Sequence, residues 1–201
     1  MKPTLLACSL LVLAAGTRVV PTAQQDGQDP QGQMAEMMAK VAKLTRPGKH
    51  HEELRRFLGT WDTEMRMFMG GQATPPDKGT WECKWLMDGR WLEARGKGTM
   101  MGQPSQSFML MGYDNFKQSF VSTYVSSFDT AMLEAEGDMT PDGKSLITYG
   151  TLDEYLTGEH DKMVKYAWRF LSEDEIVLEV HDLPIGETNT KVVEVRYKRR
   201  K

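Results

Sequence analysis

From Gly59 almost to the carboxyl end, apolar and polar residues alternate with a period of two, and this alternation restricts the fold more than any other feature. The first such run reads GTWDTEMRMFM, with Trp61 and Met65 on one face and Asp62 and Glu64 on the other. A β-strand with one buried face has this period, because successive side chains point to opposite sides of the sheet. The region after Gly59 is therefore predicted to be a sheet.

Ten runs of this kind follow one another. The intervening segments are rich in Gly, Pro, Asn and Asp, which is typical of hairpin loops. Since no helical crossover separates the runs, the strands form an antiparallel meander, and closing such a long sheet removes its exposed edges. The prediction is an all-β fold, an up-and-down antiparallel barrel of about ten strands. The predicted strands are 59–69, 79–88, 91–100, 106–113, 118–126, 131–139, 145–153, 163–171, 175–182 and 190–199.

The first residues have the character of an export signal. Met1-Lys2 is a short basic start, and residues 5–15 form an apolar run that is too short to span a bilayer. We expect a signal peptide over 1–23, cut after Ala23 or earlier near Gly16. The protein is then exported, periplasmic or secreted, without stable membrane insertion.

Three further segments complete the predicted organisation. Residues 24–33 are polar and contain Gly and Pro, so they are predicted to be a flexible tether. Residues 34–58 are predicted to form capping helices, the second of them short, and residues 59–201 the barrel. The apolar positions at helical spacing in the first helix are Met34, Met37, Met38, Val41 and Leu44.

Net charge argues against one class of function, and cysteine content limits the covalent cross-links that the chain can form. With 25 Lys and Arg against 28 Asp and Glu in 201 residues, the chain is mildly acidic and has no electrostatic basis for binding nucleic acid. Removing residues 1–23 would also remove Cys8, leaving Cys83 as the only cysteine. No intrachain disulfide is then possible, and the Cys83 thiol is either buried or reactive.

The opening of the first strand resembles that of lipocalin-like (calycin) proteins. In that superfamily a Trp after the first Gly closes one barrel end and packs against an Arg from the last strand. Here Gly59 and Trp61 match this pattern, and Arg196 in VVEVRYK is the candidate arginine.

A closer resemblance is to a bacterial family, domain-of-unknown-function family 1579, over roughly residues 34 to 199. It implies a lipocalin-like barrel and brings no established activity or catalytic residue. The matching blocks are PGKHHEELRRFLGTWD, the W-x-x-x-G-R-W-L spacing, GYDNFKQSFVSTYVSS followed by Thr130, and D-x-x-x-T-G at 153–158.

Aromatic and sulfur-containing side chains recur on the predicted inner faces. Thioethers adapt to varied apolar shapes, so together with the aromatic rings they are candidates to line an apolar pocket, although each of them could instead fill the core. The predicted ligand-binding residues are Trp61, Met65, Met67, Trp81, Cys83, Trp85, Met109, Met111, Tyr166 and Trp168.

No catalytic, metal or cofactor motif is present in the sequence. Copper(I) bound by closely grouped methionines is one alternative. Haem bound through a late-strand histidine is another, but the parity of His181 directs it outward beside Glu179. His51 is expected to pack at the barrel rim, with a ligand or proton carrier at the pocket mouth as its alternative role. His160 lies in an acidic loop that could hold a cation loosely or be a solvated turn.

The leading functional hypothesis is a non-enzymatic binding protein for a small apolar or amphipathic molecule, or a lipid, with the Met-rich helix capping one end. Two alternatives remain open. One is a hydrolase or isomerase acting inside the barrel, for which Tyr166 is the best inward polar candidate. The other is a solid barrel that acts through its outer surface or as a homodimer, with Trp91 as an interface anchor.

Overall fold

The structure is a computed structural model that describes residues 29–69, 72–155, 157–183 and 190–201. The predicted signal peptide and residues 24–28 of the predicted tether lie outside these ranges. The chain divides into two units, Met1–Ala39 and Lys40–Lys201, and all strands belong to the second. Among the described residues, no helix is both long enough and apolar enough to cross a membrane.

Ten antiparallel strands close into a barrel, which confirms the predicted fold. A further strand of two residues, β2, pairs with the end of β1 and was not predicted. Neighbours in sequence are neighbours in the sheet, and β11 pairs with β1 to close the ring. The strands are β1 Gly59–Met69, β2 Gln72–Ala73, β3 Asp77–Leu86, β4 Trp91–Met100, β5 Gln103–Asp114, β6 Ser119–Ser126, β7 Leu133–Met139, β8 Ser145–Glu154, β9 Glu159–Phe170, β10 Glu175–Asp182 and β11 Thr190–Arg199.

Two helices and a 3₁₀ turn precede the barrel: α1 Pro30–Thr45, α2 Lys49–Glu53 and the turn Leu54–Phe57. The predicted tether is wrong over residues 30–33, because α1 begins at Pro30. Proline at the first helical position has the φ of a helix and no N–H to satisfy there, which favours this start. That the Met-rich helix caps the barrel stays a prediction.

The 3₁₀ turn closes one end of the barrel. Leu54 and Phe57 are 0% exposed. The Phe57 ring packs edge-on against Trp81, Trp168 and Phe170, with ring centroids 6.2, 5.2 and 5.3 Å away. Aromatic contacts of this geometry add to the free energy gained from burying apolar area. The segment just before β1 is thus part of the barrel core.

Small residues on the inner face of β4 allow close contact between strands. The sequence left two roles open for them, interior room or a sharp bend. A Cβ atom added at Gly98 would lie 2.5 Å from the carbonyl oxygen of Lys78 and 2.6 Å from Cα of Gly79. At Gly98 the glycine therefore accommodates the neighbouring backbone rather than a ligand.

Candidate ligand site inside the barrel

Strand register shows which side chains face the barrel interior, since directly opposed residues lie on the same face. Met65 of β1 pairs with Val195 of β11, which pairs with Leu178 of β10, which pairs with Trp168 of β9. Tyr166, two residues before Trp168, shares its face. The predicted inner faces of these strands are therefore the ones that line the interior.

One half of the interior, the closed half, is filled by the core. Half of the predicted ligand-binding residues lie there, and each is at most 7% exposed: Trp61, Trp81, Cys83, Met111 and Trp168. The space beside Phe57 and Leu92 among them admits no water molecule. Trp85 and Met109 are partly buried and pack against the same core. A ligand could reach this half only if its packing opened.

The arginine that packs on Trp61 is Arg199, so the assignment to Arg196 is wrong. The Arg199 guanidinium carbon lies 4.0 Å from the Trp61 ring centroid, and the two residues are opposed across β1 and β11. Arg196 is opposed to Glu64 and Val177 and has the opposite parity, which places it on the outer face. Gly59 adopts φ +109 at the start of β1, so the predicted structural glycine occupies a backbone conformation that favours glycine.

The other half of the interior is less completely buried than the core, and we call it the cup. Most of its inward side chains are partly exposed, whereas Val164 and Thr148 on the same inner faces are 0% and 2% exposed. The cup is lined by Met65, Met67, Tyr124, Tyr166, Leu178 and Val195. Of the predicted ligand-binding residues, Met65, Met67 and Tyr166 are therefore the three that line the cup.

Two tyrosines of the cup, Tyr124 and Tyr166, carry hydroxyl groups that could meet a ligand. The hydroxyl oxygen of Tyr166 is buried and has no hydrogen-bond partner within the described residues. Burial, helped by the nearby Tyr124, raises the pKa of Tyr166 to about 12. Burial also raises the pKa of Tyr124, against a hydrogen bond with Ser107 that lowers it. Both phenols thus stay protonated at neutral pH and can donate hydrogen bonds.

A partly buried ion pair lies at the open end. Lys162 continues the inner face of β9 beyond Val164, and its Nζ is 2.8 Å from Oδ2 of Asp182. Oxygens of Glu154 and Glu159 are each 3.8 Å from the same Nζ. The Lys162 side chain is 15% exposed. Asp129, on the loop after β6, acts on Tyr124 and adds to the negative charge at this end.

The histidines have separate places. His51 is 4% exposed at the closed end, and its Nδ1 accepts a hydrogen bond from the Gly48 N–H at 3.1 Å. His181 faces outward beside Glu179, with Nε2 and Oε2 3.8 Å apart. His160 is solvent-exposed at the start of β9, and its Nδ1 lies 3.1 Å from Oδ1 of Asp153. Within the described part of the chain, no group of three or more His, Cys, Asp or Glu is arranged to hold a metal ion.

Cys83 and the GYDN segment have structural surroundings. Burial raises the pKa of the Cys83 thiol to about 12, so it is not a thiolate at neutral pH. Oδ1 of Asp114 accepts hydrogen bonds from the N–H groups of Phe116 and Lys117 at 2.7 and 3.1 Å. The Asn115 side chain donates to carbonyl oxygens at positions 44 and 46, where α1 ends.

Sequence reasoning missed three features of the interior. The alternation of Val164, Tyr166 and Trp168 extends back to Lys162, so parity alone could have placed this lysine inside. Tyr124 lies in SFVSTYVS, where both faces are similar and no inner side can be chosen. Nothing in the local pattern shows that Phe57 enters the barrel, because that depends on where the 3₁₀ turn meets distant strands.

The ten-stranded antiparallel sheet closes on itself and is sealed at one end by the 3₁₀ turn. This protein therefore has a lipocalin-like barrel fold. The structure of Rv2717c from M. tuberculosis is similar, with TM-score 0.55 and 12% identity over 78% of this chain and 100% of that chain. S-type phycobiliprotein lyase CPES from Guillardia theta is similar with TM-score 0.50 and 10% identity, covering 81% and 97%. At these identities the likeness shows the fold alone.

The chain belongs to family DUF1579, described as protein of unknown function, which matches residues 46–199. The resemblance drawn from the GTW and GYDN blocks is thereby confirmed. A search of curated protein sequences found no match.

Proposed function

We propose that the protein binds a small amphipathic molecule in the cup, without chemical conversion. The observation that carries this proposal is the buried Tyr166 hydroxyl, which lacks a hydrogen-bond partner inside a partly solvated, otherwise largely apolar interior. A buried polar group without a partner costs free energy unless water or a ligand atom meets it. A ligand could accept a hydrogen bond from the Tyr166 hydroxyl and cover the apolar side chains of Met65, Leu178 and Val195. Such a ligand would give the hydroxyl a partner and remove apolar surface from water.

The alternative of catalysis inside the barrel has less support. A general base must lose its proton near neutral pH, and the pKa values of both cup tyrosines are raised above their ordinary value. Lys162 is held in its charged form, because the hydrogen bond with Asp182 raises its pKa. These groups suit hydrogen bonding and ion pairing better than proton abstraction.

One of the similar barrels is a phycobiliprotein lyase, and at 10% identity this likeness supports the barrel fold rather than a particular role. Export by the sequence at 1–23 would place the cup in the periplasm or outside the cell, and this remains part of the proposal.

Native mass spectrometry of the gently purified chain tests whether the cup has an occupant. The protein is then titrated with Nile red, a neutral apolar dye, and the affinity for 1-dodecanol is measured from its displacement of the dye. Tyr166→Phe removes only the hydroxyl. It should weaken the affinity for dodecanol about three- to tenfold, which is the effect of one hydrogen bond. Leu178→Trp should fill the cup and abolish binding.

Tyr149→Phe is the matched control, since Tyr149 faces outward and is 45% exposed. Its affinity for dodecanol should equal that of the unmodified protein. The proposal fails if neither dye nor alcohol binds, or if Leu178→Trp binds both as well as the unmodified chain.

A further inference from the structure

A groove of about 340 Å³ lies on the outer face of the barrel, across β4 to β8. Its floor contains Leu110, Val121 and Thr123, and Trp91 and Tyr149 stand at its sides. Register places these residues on the face opposite to the core, because Trp91 is opposed to Leu86 and Gly112 rather than to Leu92 or Met111. The groove is therefore separate from the cup.

Gly112 makes room for the Trp91 ring. A Cβ atom added at Gly112 would lie 2.4 Å from Cε3 and 2.6 Å from Cζ3 of Trp91. The indole thus lies over the backbone of β5 and reaches toward Val121, the residue opposed to Gly112 on β6. A tryptophan that lines a groove outside the barrel core presents aromatic surface to a binding partner.

The groove has an acidic side. Along β7 the outward residues are Glu134, Glu136 and Asp138, all exposed, while Ala135 and Gly137 face inward. Glu134 and Glu136 line the groove. Nζ of Lys117 lies 2.6 Å from Glu136, and both side chains are more than half exposed. Among the described residues Glu134 forms no ion pair, so the groove lining has two carboxylates against the single ammonium of Lys117.

We infer that this groove docks a basic segment of a partner protein, with a Lys or Arg side chain against Trp91 and its charge toward Glu134 and Glu136. A cation over an indole gains from the ring quadrupole, and nearby carboxylates add Coulomb attraction. An apolar neighbour in the segment would cover Leu110 and Val121. The volume suits a few side chains of a peptide rather than a folded domain.

The negative charge of the groove also disfavours two other occupants, a second copy of this chain and a nucleic acid. A second copy with the groove on the two-fold axis would place the same acidic stripe against itself, which is repulsive. Nucleic acid would bring phosphates to the same carboxylates. The groove thus favours a basic protein segment over a homodimer and over a nucleic acid.

The test uses two fluorescein-labelled peptides, GKLKWKLKG and its acidic twin GELEWELEG, followed by anisotropy against the full chain. The basic peptide should bind, and raising the salt concentration from about 50 to 300 mM should weaken it because exposed charges are screened. The double substitution Glu134→Gln with Glu136→Gln should weaken binding about tenfold or more. Trp91→Ala should weaken it as well.

Glu82→Gln, on the outer face of β3 away from the groove, is the matched control and should bind the peptide unchanged. Urea denaturation of each variant shows whether Trp91→Ala still folds, and Thr123→Lys is a second variant that should also reduce binding. Equal binding of both peptides, an affinity that the Glu134 and Glu136 substitutions leave unchanged, or dimerisation through Trp91 would each overturn the inference. The cup variant Leu178→Trp should not affect peptide binding, which separates this site from the proposed ligand site.

Discussion

At the scale of single residues, Trp61 connects the 3₁₀ turn Leu54–Phe57 to the barrel. It is 0% exposed, and its Nε1 donates a hydrogen bond to the carbonyl oxygen of Phe57 at 2.8 Å. Arg199 lies over the face of the ring and also donates to carbonyl oxygens just before β1, at Leu58 and, at 3.2 Å, at Arg56. The first and last strands and the closing turn therefore meet at one aromatic ring.

This arrangement predicts unequal effects for two arginines of β11. Arg199→Ala removes a cation–π contact and several hydrogen bonds to backbone, so we expect the free energy of unfolding to fall by about 2–3 kcal/mol. Arg196 is 46% exposed and pairs with Glu194, whose other partner Lys191 remains 2.6 Å away. Arg196→Ala should therefore cost less than about 1 kcal/mol.

Urea denaturation followed by tryptophan fluorescence measures both changes. The ranking of the two variants is the result that matters, because it separates the register of the structure from the sequence assignment of Arg196. A larger loss for Arg196→Ala than for Arg199→Ala would contradict the register between β1 and β11.

At the scale of elements, α2 begins with a reciprocal pair of hydrogen bonds. The N–H of His51 donates to the carbonyl oxygen of Gly48 at 2.9 Å, and Nδ1 of His51 accepts from the Gly48 N–H at 3.1 Å. His51 thus occupies the position that Glu or Gln takes in a capping box. Only the imidazole with an unprotonated Nδ1 can accept this bond, so the cap requires the neutral side chain.

The cap predicts that stability falls in mild acid. Burial, with charges on His50 and Arg90, lowers the pKa of His51 below its ordinary value. As pH falls below about 6.5, the unfolded chain takes up this proton before the folded chain does, so the free energy of unfolding decreases. His51→Gln keeps an acceptor for Gly48 but cannot be protonated, and it should lose less stability between pH 7 and 5.

Urea midpoints across that pH range make the comparison. Burial lowers the pKa of His181 as well, so part of the slope should persist in His51→Gln and become smaller again in the double variant with His181→Gln. An identical slope in the unmodified chain and His51→Gln would contradict the capping role.

Elements differed in how well the sequence predicted them. The ten barrel strands were predicted because a period of two and turn residues are local signals, and the bounds differ by a few residues. At β9 the strand begins at Glu159 rather than 163, since residues 159–162 are polar on both faces and hide the period. The filled half of the interior was not predictable, because Phe57 and Leu54 fill it from a segment that is adjacent only after the barrel closes.

At the scale of the whole molecule, the two ends of the barrel have different chemistry. Aromatic rings and the 3₁₀ turn seal one end, whereas carboxylates surround the other, with Lys162 held by Asp182 at 2.8 Å. A ligand that enters the cup must pass this end, and its polar head would remain near those carboxylates unless it reaches Tyr166. The charge at the open end should therefore select among ligands that share the same apolar tail.

If the cup binds amphiphiles, 1-dodecanol should displace Nile red at a lower concentration than dodecanoate does at pH 7. The reason is that the carboxylate head of dodecanoate meets the negative charge of Asp182, Glu159 and Asp129. Asp182→Asn should reverse part of this preference by about threefold or more, since Lys162 would lose its closest counterion and could pair with the ligand carboxylate. Asp153→Asn is the control, because Asp153 is 59% exposed and pairs with His160 instead. Competition titrations of the three proteins with both ligands measure the ratio of affinities. Tighter binding of dodecanoate than of dodecanol by the unmodified chain, with no response to Asp182→Asn, would show that the ion pair at the open end does not act on the ligand.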